Sequence, residues 1–226
     1  MSKIKNDKYY TPPDLANYCW DKVLEVIGEE NISEVIEPSV GNGAFLNHPT
    51  QIVHFAYDIE PECTSDITKI FKADYLTSDI KYLYGRLVLG NPPYGEHMNM
   101  AQKFFKKSIQ IADYIAFILP ISQLNNTRSM YEFDLVYSED LGIKHYTDRD
   151  LHCCFNVYKR PENGELNKKP TAKCYCIDCK YHNNLAGDCF GFDRYQHTAD
   201  NWFCWKASLR KDEILNNSVN KEENND

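Results

Sequence analysis

Long apolar runs are missing from this sequence, and so is a surplus of positive charge. No stretch approaches the roughly 20 consecutive apolar residues of a bilayer-spanning helix. The opening Met-Ser-Lys-Ile-Lys lacks an apolar signal core, so a cytoplasmic protein with no membrane contact is expected. The formal net charge is −8, whereas a protein that grips phosphates by bulk charge is basic. Half of that deficit lies in the tail, where from Asp212 onward five acids face Lys221 alone. Lys144 to Lys173 carries seven basic residues against four acids, which suits either a basic face or a solvated loop surface. The paired Cys-x-x-Cys signature of a zinc ribbon is absent too. Nine cysteines are many for disulfides in a reducing compartment, which leaves free thiols or metal ligands. Cys174, Cys176, Cys179 and Cys189, with His182 between them, read either as structural zinc ligands or, over 171–181, as small buried side chains of a plain strand.

What is present describes a folded α/β protein. A hydrophobic content of 42% and an aromatic content of 13% exclude a disordered chain. The patterning divides the chain into a main domain over 1–160, a small cysteine-containing extension over 161–210 packed on it through Trp202, Phe203 and Trp205, and a disordered acidic tail over 211–226. The stretch that organises the rest is Arg86 to Gly95. Leu87-Val88-Leu89 is an uninterrupted apolar triplet that suits a strand covered on both faces, and Pro92 and Pro93 end it. The Asn91 amide, the free carbonyls and the Tyr94 ring then form an acceptor pair beside an aromatic plate, which is what a planar ring with an exocyclic amino group requires.

Two further stretches bear on that reading. Val35-Ile36-Glu37 runs into Pro38-Ser39-Val40-Gly41-Asn42-Gly43, a Gly-x-Gly turn at a strand end with a helical stretch expected after it. A second strand over 52–60 ends in acids, and Asp58 stands where a ribose diol is held in nucleoside-binding α/β units. A third strand is expected over 70–76, a helix over 100–112, a strand over 114–120, and a hairpin over 141–160. The loop 121–130 lies where it can reach a nucleic acid. Pro12 and Pro13 open a helix, for which Thr11 is a candidate cap.

With these pieces together, the chain resembles the N6-adenine DNA methyltransferases that use S-adenosylmethionine. Asn91-Pro92-Pro93-Tyr94 is similar to their catalytic motif, Glu37 to Phe45 to their cofactor loop, and Tyr9-Tyr10-Thr11-Pro12-Pro13 to the Tyr-Thr-Pro segment that precedes that loop. The resemblance covers about residues 9 to 160. It implies a Rossmann-like methyltransferase fold: an α/β domain with a mostly parallel seven-stranded sheet, helices on both faces and a C-terminal antiparallel hairpin. It also implies that Asn91, Pro92, Pro93 and Tyr94 are catalytic and that no metal is needed. Cofactor contacts would come from Tyr10, Thr11, Pro12, Glu37, Pro38, Ser39, Gly41, Gly43, Phe45, Asp58, Ile59, Asp74, Tyr75 and Asn91. Tyr94 and Phe155 would stack on a target adenine flipped out of DNA. Few residues remain for a recognition region, so the extension, the 121–150 loops, a specificity subunit or a homodimer would supply it, or specificity is low. The alternatives are a methyltransferase acting on RNA adenine or a protein glutamine, and an inactive nucleic-acid-binding homologue.

Overall fold

The computed structural model describes residues 9–126, 128–146 and 149–169, together with the backbone of 182–183, 188–189 and 196–197. The chain divides into two compact units, Met1–Lys169 and Pro170–Asp226. In the second unit, His182–Asn183, Asp188–Cys189 and Gln196–His197 form a small antiparallel sheet with the 188–189 strand in the middle. Cys174, Cys176, Cys179, Trp202, Phe203, Trp205 and the acidic tail lie outside the described residues.

The first unit is built on one sheet. Five parallel strands come first: β1 (Glu34–Glu37), β2 (His54–Asp58), β3 (Lys69–Lys72), β4 (Arg86–Gly90) and β5 (Tyr114–Pro120). The hairpin β6 (Asp134–Tyr146) and β7 (Arg149–Lys159) completes it, with β7 antiparallel to β5. The order is β3-β2-β1-β4-β5-β7-β6, so the connection direction reverses between β1 and β4. That reversal opens a crevice at the carboxyl ends of those two strands. β4 is buried along its whole length, and Ile115 to Leu119 of β5 are fully buried, as expected of inner strands covered on both faces.

Helical cover among the described residues is modest. Helix α1 (Pro13–Ile27) starts with Pro13, whose missing N–H costs nothing in a first turn. It buries Leu15, Ala16, Cys19, Trp20 and Val23 at helical spacing, and the Trp20 indole donates to the Phe45 carbonyl at 2.9 Å. Helix α2 (Asn99–Ser108) buries Ala101, Phe104, Phe105 and Ser108. The ring of Phe105 meets Tyr158 of β7 edge to face at 5.0 Å. Each such buried ring contributes on the order of 2 kcal/mol.

Several boundaries differ from the sequence reading. The helix expected after the glycine turn is a single 3₁₀ turn, Ala44–Asn47, because His48 precedes Pro49 and a pre-proline residue avoids helical backbone. Helix α1 is capped at Pro12 without a side-chain bond, so Thr11 is no cap; its hydroxyl is used elsewhere. The hairpin begins at Asp134 rather than Leu141. β6 is the terminal strand, and its pairing with β7 slips at Leu135/Tyr137 and again at Asp140/Gly142. The first unit also runs past Arg160, since the Asn167 amide N–H donates to the Glu132 carbonyl and its side chain to Asp134.

Candidate functional site

The crevice between β1 and β4 is lined from four directions, the first being the loop after β1. Gly41 and Gly43 both take positive φ, +50° and +83°. A Cβ at Gly41 would sit 3.3 Å from the Tyr10 ring, and one at Gly43 3.0 Å from the Cys63 sulfur. Glycine is thus required by backbone and by space. Asp58, at the end of β2, fixes this loop. Its Oδ2 accepts the Gly41 N–H at 2.9 Å and its Oδ1 the Glu60 N–H at 2.8 Å.

The second wall follows β3. Asp74 accepts the Leu76 N–H at 2.9 Å in a side-chain turn. Tyr75 is turned inward, sharing a hydrogen bond with the Ser108 hydroxyl at 2.9 Å and stacking on Phe104 at 5.5 Å. Burial pushes its phenol well above the ordinary range.

The third wall is the segment that leaves β4. A Cβ at Gly90 would stand 3.3 Å from Pro38 Cδ, so the two loops touch, and Ser39 Oγ donates to the Asn91 carbonyl at 3.3 Å. The Asn91 amide is held at both ends. Its Nδ2 donates to the Tyr9 carbonyl at 3.3 Å and to Thr11 Oγ1 at 3.2 Å, while its Oδ1 accepts from the Tyr94 hydroxyl at 3.0 Å. A backbone carbonyl can only accept, so the Tyr9 bond fixes which end of the amide is nitrogen. Oδ1 is thereby committed as an acceptor on the Tyr94 side.

The fourth wall is the strap 9–12 before α1. Tyr10 donates its hydroxyl to Glu62, and the Tyr9 ring stacks on Tyr94 at 6.1 Å.

These walls enclose a cavity of about 460 Å³, within the range of small-ligand sites. Glu37 is its most unusual lining group. It is 1% exposed, and its Oε2 has no hydrogen-bond partner among the described residues. Burial, then the nearby Asp58 charge, push its carboxyl well above the usual carboxylate range. The buried His54 lies 3.9 Å away, and burial lowers its imidazole to about 4. The imidazole is therefore neutral near pH 7, and the carboxyl is biased toward its protonated form.

No family model matches the chain. Two curated relatives, the type II methyltransferases M.HincII and M.HindII of Haemophilus influenzae, are each 26% identical over 103 residues, which is 44% of this chain and 19% of the relative. The match thus spans about a fifth of their length. Among solved structures, a candidate RNA methyltransferase from Pyrococcus horikoshii superposes with a TM-score of 0.55 at 12% identity, covering 71% of this chain and 90% of that one. A candidate class I S-adenosylmethionine-dependent methyltransferase from Listeria monocytogenes gives 0.52 at 11% identity, covering 75% and 66%. The fold is that of the class I methyltransferases.

Within that methyltransferase fold, the cavity gathers Tyr10, Thr11, Glu37, Pro38, Ser39, Gly41, Phe45, Asp58, Ile59, Asp74, Tyr75, Asn91 and Pro93 from separate parts of the sequence. Pro12, Gly43 and Pro92 stand beside it without lining it. Tyr94 is 9% exposed and does not line the cavity, its hydroxyl on Asn91 and its ring stacked on that of Tyr9. Phe155 is a correction to the sequence reading. It lies on β7 opposite Ile118 and Glu139 and is 0% exposed, because β7 is an inner strand whose residues 153–158 are all buried. It cannot cover a ligand from there. Sequence reasoning missed Tyr9, Met100 and Phe104, all of which line the cavity. Phe104 is on the buried face of α2, a pattern that signals core, yet it also lines the crevice. Tyr9 carried the better signal, being adjacent to the Tyr-Thr-Pro segment.

Proposed function

We propose that this chain is an S-adenosylmethionine-dependent methyltransferase that acts on N6 of an adenine in DNA. The observation that carries the reading is the Asn91 amide, oriented by the strap so that its oxygen is the acceptor beside an aromatic ring. An N6 lone pair is delocalised into the purine ring and is a poor nucleophile. Two acceptors, Asn91 Oδ1 and the Pro92 carbonyl, would take both N6 hydrogens, draw the nitrogen toward pyramidal geometry and free the lone pair for direct in-line attack. Pro92 and Pro93 stiffen the loop that presents them. The type II assignment of the two Haemophilus relatives favours DNA as the substrate. The target adenine would then be flipped out of the duplex to reach the crevice.

The residues of the crevice fit the cofactor. S-adenosylmethionine, when bound, supplies a methyl group on a positively charged sulfur. Asp58 ends β2 and Asp74 follows the neighbouring β3, both lining the cavity together with Tyr75; in this reading they would meet the cofactor's ribose and adenine amino group. Glu37 offers a buried oxygen with no hydrogen-bond partner among the described residues, which suits the cation of an amino-acid tail.

Glu37 gives this reading a proton signature. Burial biases its carboxyl toward the protonated form in the free protein, and a cation beside it favours the charged form. Cofactor binding is therefore expected to release up to about one proton and to tighten as pH rises. Calorimetry in buffers of different ionisation enthalpy should show that release, and Glu37→Gln should remove it; binding with no proton exchange would contradict the assignment.

The direct test is to incubate the protein with S-adenosylmethionine and unmethylated DNA, digest to nucleosides and search by mass spectrometry for N6-methyldeoxyadenosine. Its appearance is the expected result. Label on RNA adenine or protein glutamine, with none on DNA, would overturn the substrate.

A further inference from the structure

A flipped base needs a surface on each of its faces, and the structure removes one of the two rings that the sequence offered. With Phe155 fully buried, the ring that faces Tyr94 is Tyr9. It lines the cavity, is half-buried, and lies on Tyr94 with centroids 6.1 Å apart and planes 30° from parallel. That separation is near the far end of direct ring stacking, roughly 4.5–7 Å, so a small outward shift of the strap would open a gap between the rings. The strap is held by contacts that can be exchanged. The Tyr9 carbonyl takes a long hydrogen bond from Asn91, the same amide proposed to meet the base. The Arg149 guanidinium, at the start of β7, sits 5.1 Å from the Tyr9 ring, a cation–π contact that steadies the ring from outside the strap.

Resting on the adenine-methylation reading, we infer that Tyr9 is the second wall of the target-base slot. Without a base it covers the Tyr94 face; with one it stacks on the base's other side. The adenine enters between two tyrosines, with Asn91 at its amino edge and Arg149 holding the outer wall in place. Arg149 acts here as a positioning residue. Stacking is sequence-tolerant, because every base has a π face, so this slot grips the base while Asn91 selects for the amino group.

The test compares wild type, Tyr9→Ala and Tyr9→Phe in steady-state methyl transfer to unmethylated plasmid DNA, alongside S-adenosylmethionine binding by calorimetry. Tyr9→Ala is expected to lose roughly ten- to a hundredfold in kcat/KM for DNA. Its cofactor Kd should stay within about threefold of wild type, since the Tyr9 carbonyl is untouched. Tyr9→Phe, which keeps the ring, should restore most of the loss. Unchanged turnover in Tyr9→Ala, a parallel loss of cofactor binding, or failure of Tyr9→Phe to rescue would each overturn the inference. A wild-type protein that labels adenine in neither DNA nor RNA would sink the underlying reading, and the slot with it.

Discussion

Replacing Asn91 with alanine is expected to reduce methyl transfer by at least about a hundred- to a thousandfold while leaving S-adenosylmethionine bound. The amide is the junction of the site. Its oxygen is the proposed acceptor for N6–H, and its nitrogen ties the strap through Tyr9 and Thr11. Alanine removes both roles, so the informative companion is Asn91→Asp. Aspartate keeps an acceptor for the base but sets a second acceptor against the Tyr9 carbonyl, which loosens the strap. If the acceptor is what matters, Asn91→Asp should retain more turnover than Asn91→Ala. If the strap matters more, the two should fall together. Single-turnover label transfer with calorimetry on the same samples separates these outcomes, and turnover retained in Asn91→Ala would remove the catalytic assignment.

The largest stability effect should come from the other end of the sheet. Asp113 precedes β5 and is 7% exposed. It accepts from the Gly85 N–H at 2.7 Å, the Tyr82 hydroxyl at 3.0 Å and Arg160 Nε at 2.9 Å. Arg160 also donates to the Ile109 and Ala112 carbonyls at 2.6 and 2.9 Å and lies 4.9 Å from the Phe133 ring. The pair thus fastens the last strand of the hairpin to the entry of β4 and the exit of α2. Asp113→Ala leaves a largely buried guanidinium without its carboxylate, and a loss of about 3–5 kcal/mol is expected. For a unit of this size that lowers the melting temperature by roughly 10 °C or more. Urea and thermal melts measure it. Because Asp113 sits at the amino ends of the strands, the folded fraction should bind S-adenosylmethionine with unchanged affinity, and a matching loss of affinity would contradict this division.

The parts of the fold legible in the sequence were those governed by local rules. β4 and β5 are unbroken apolar runs because both their faces are covered, and prolines mark where each stops. The glycines at 41 and 43 announced a tight turn that the positive φ values bear out. Much of the cavity could be named because its residues stand at strand ends, where motif and topology coincide. What was not legible depended on long-range packing. The first part of β6 went unread because an edge strand buries few of its residues, and Glu139 and Asp140 interrupt its pattern. Phe155 was misplaced because alternation along β7 says nothing of a second layer over it. Tyr9 needs Tyr94, 85 positions later, to show its purpose.

The two slips in the β6–β7 ladder also bear on how this protein behaves at high concentration. A thirteen-residue strand at a sheet edge is ordinarily a template on which another chain can grow. Here the shifts at Leu135/Tyr137 and Asp140/Gly142 break the edge into three short pieces, and such irregularities ordinarily sharpen the local twist. An incoming strand therefore finds no continuous register to match, and this edge is protected against sheet-to-sheet aggregation.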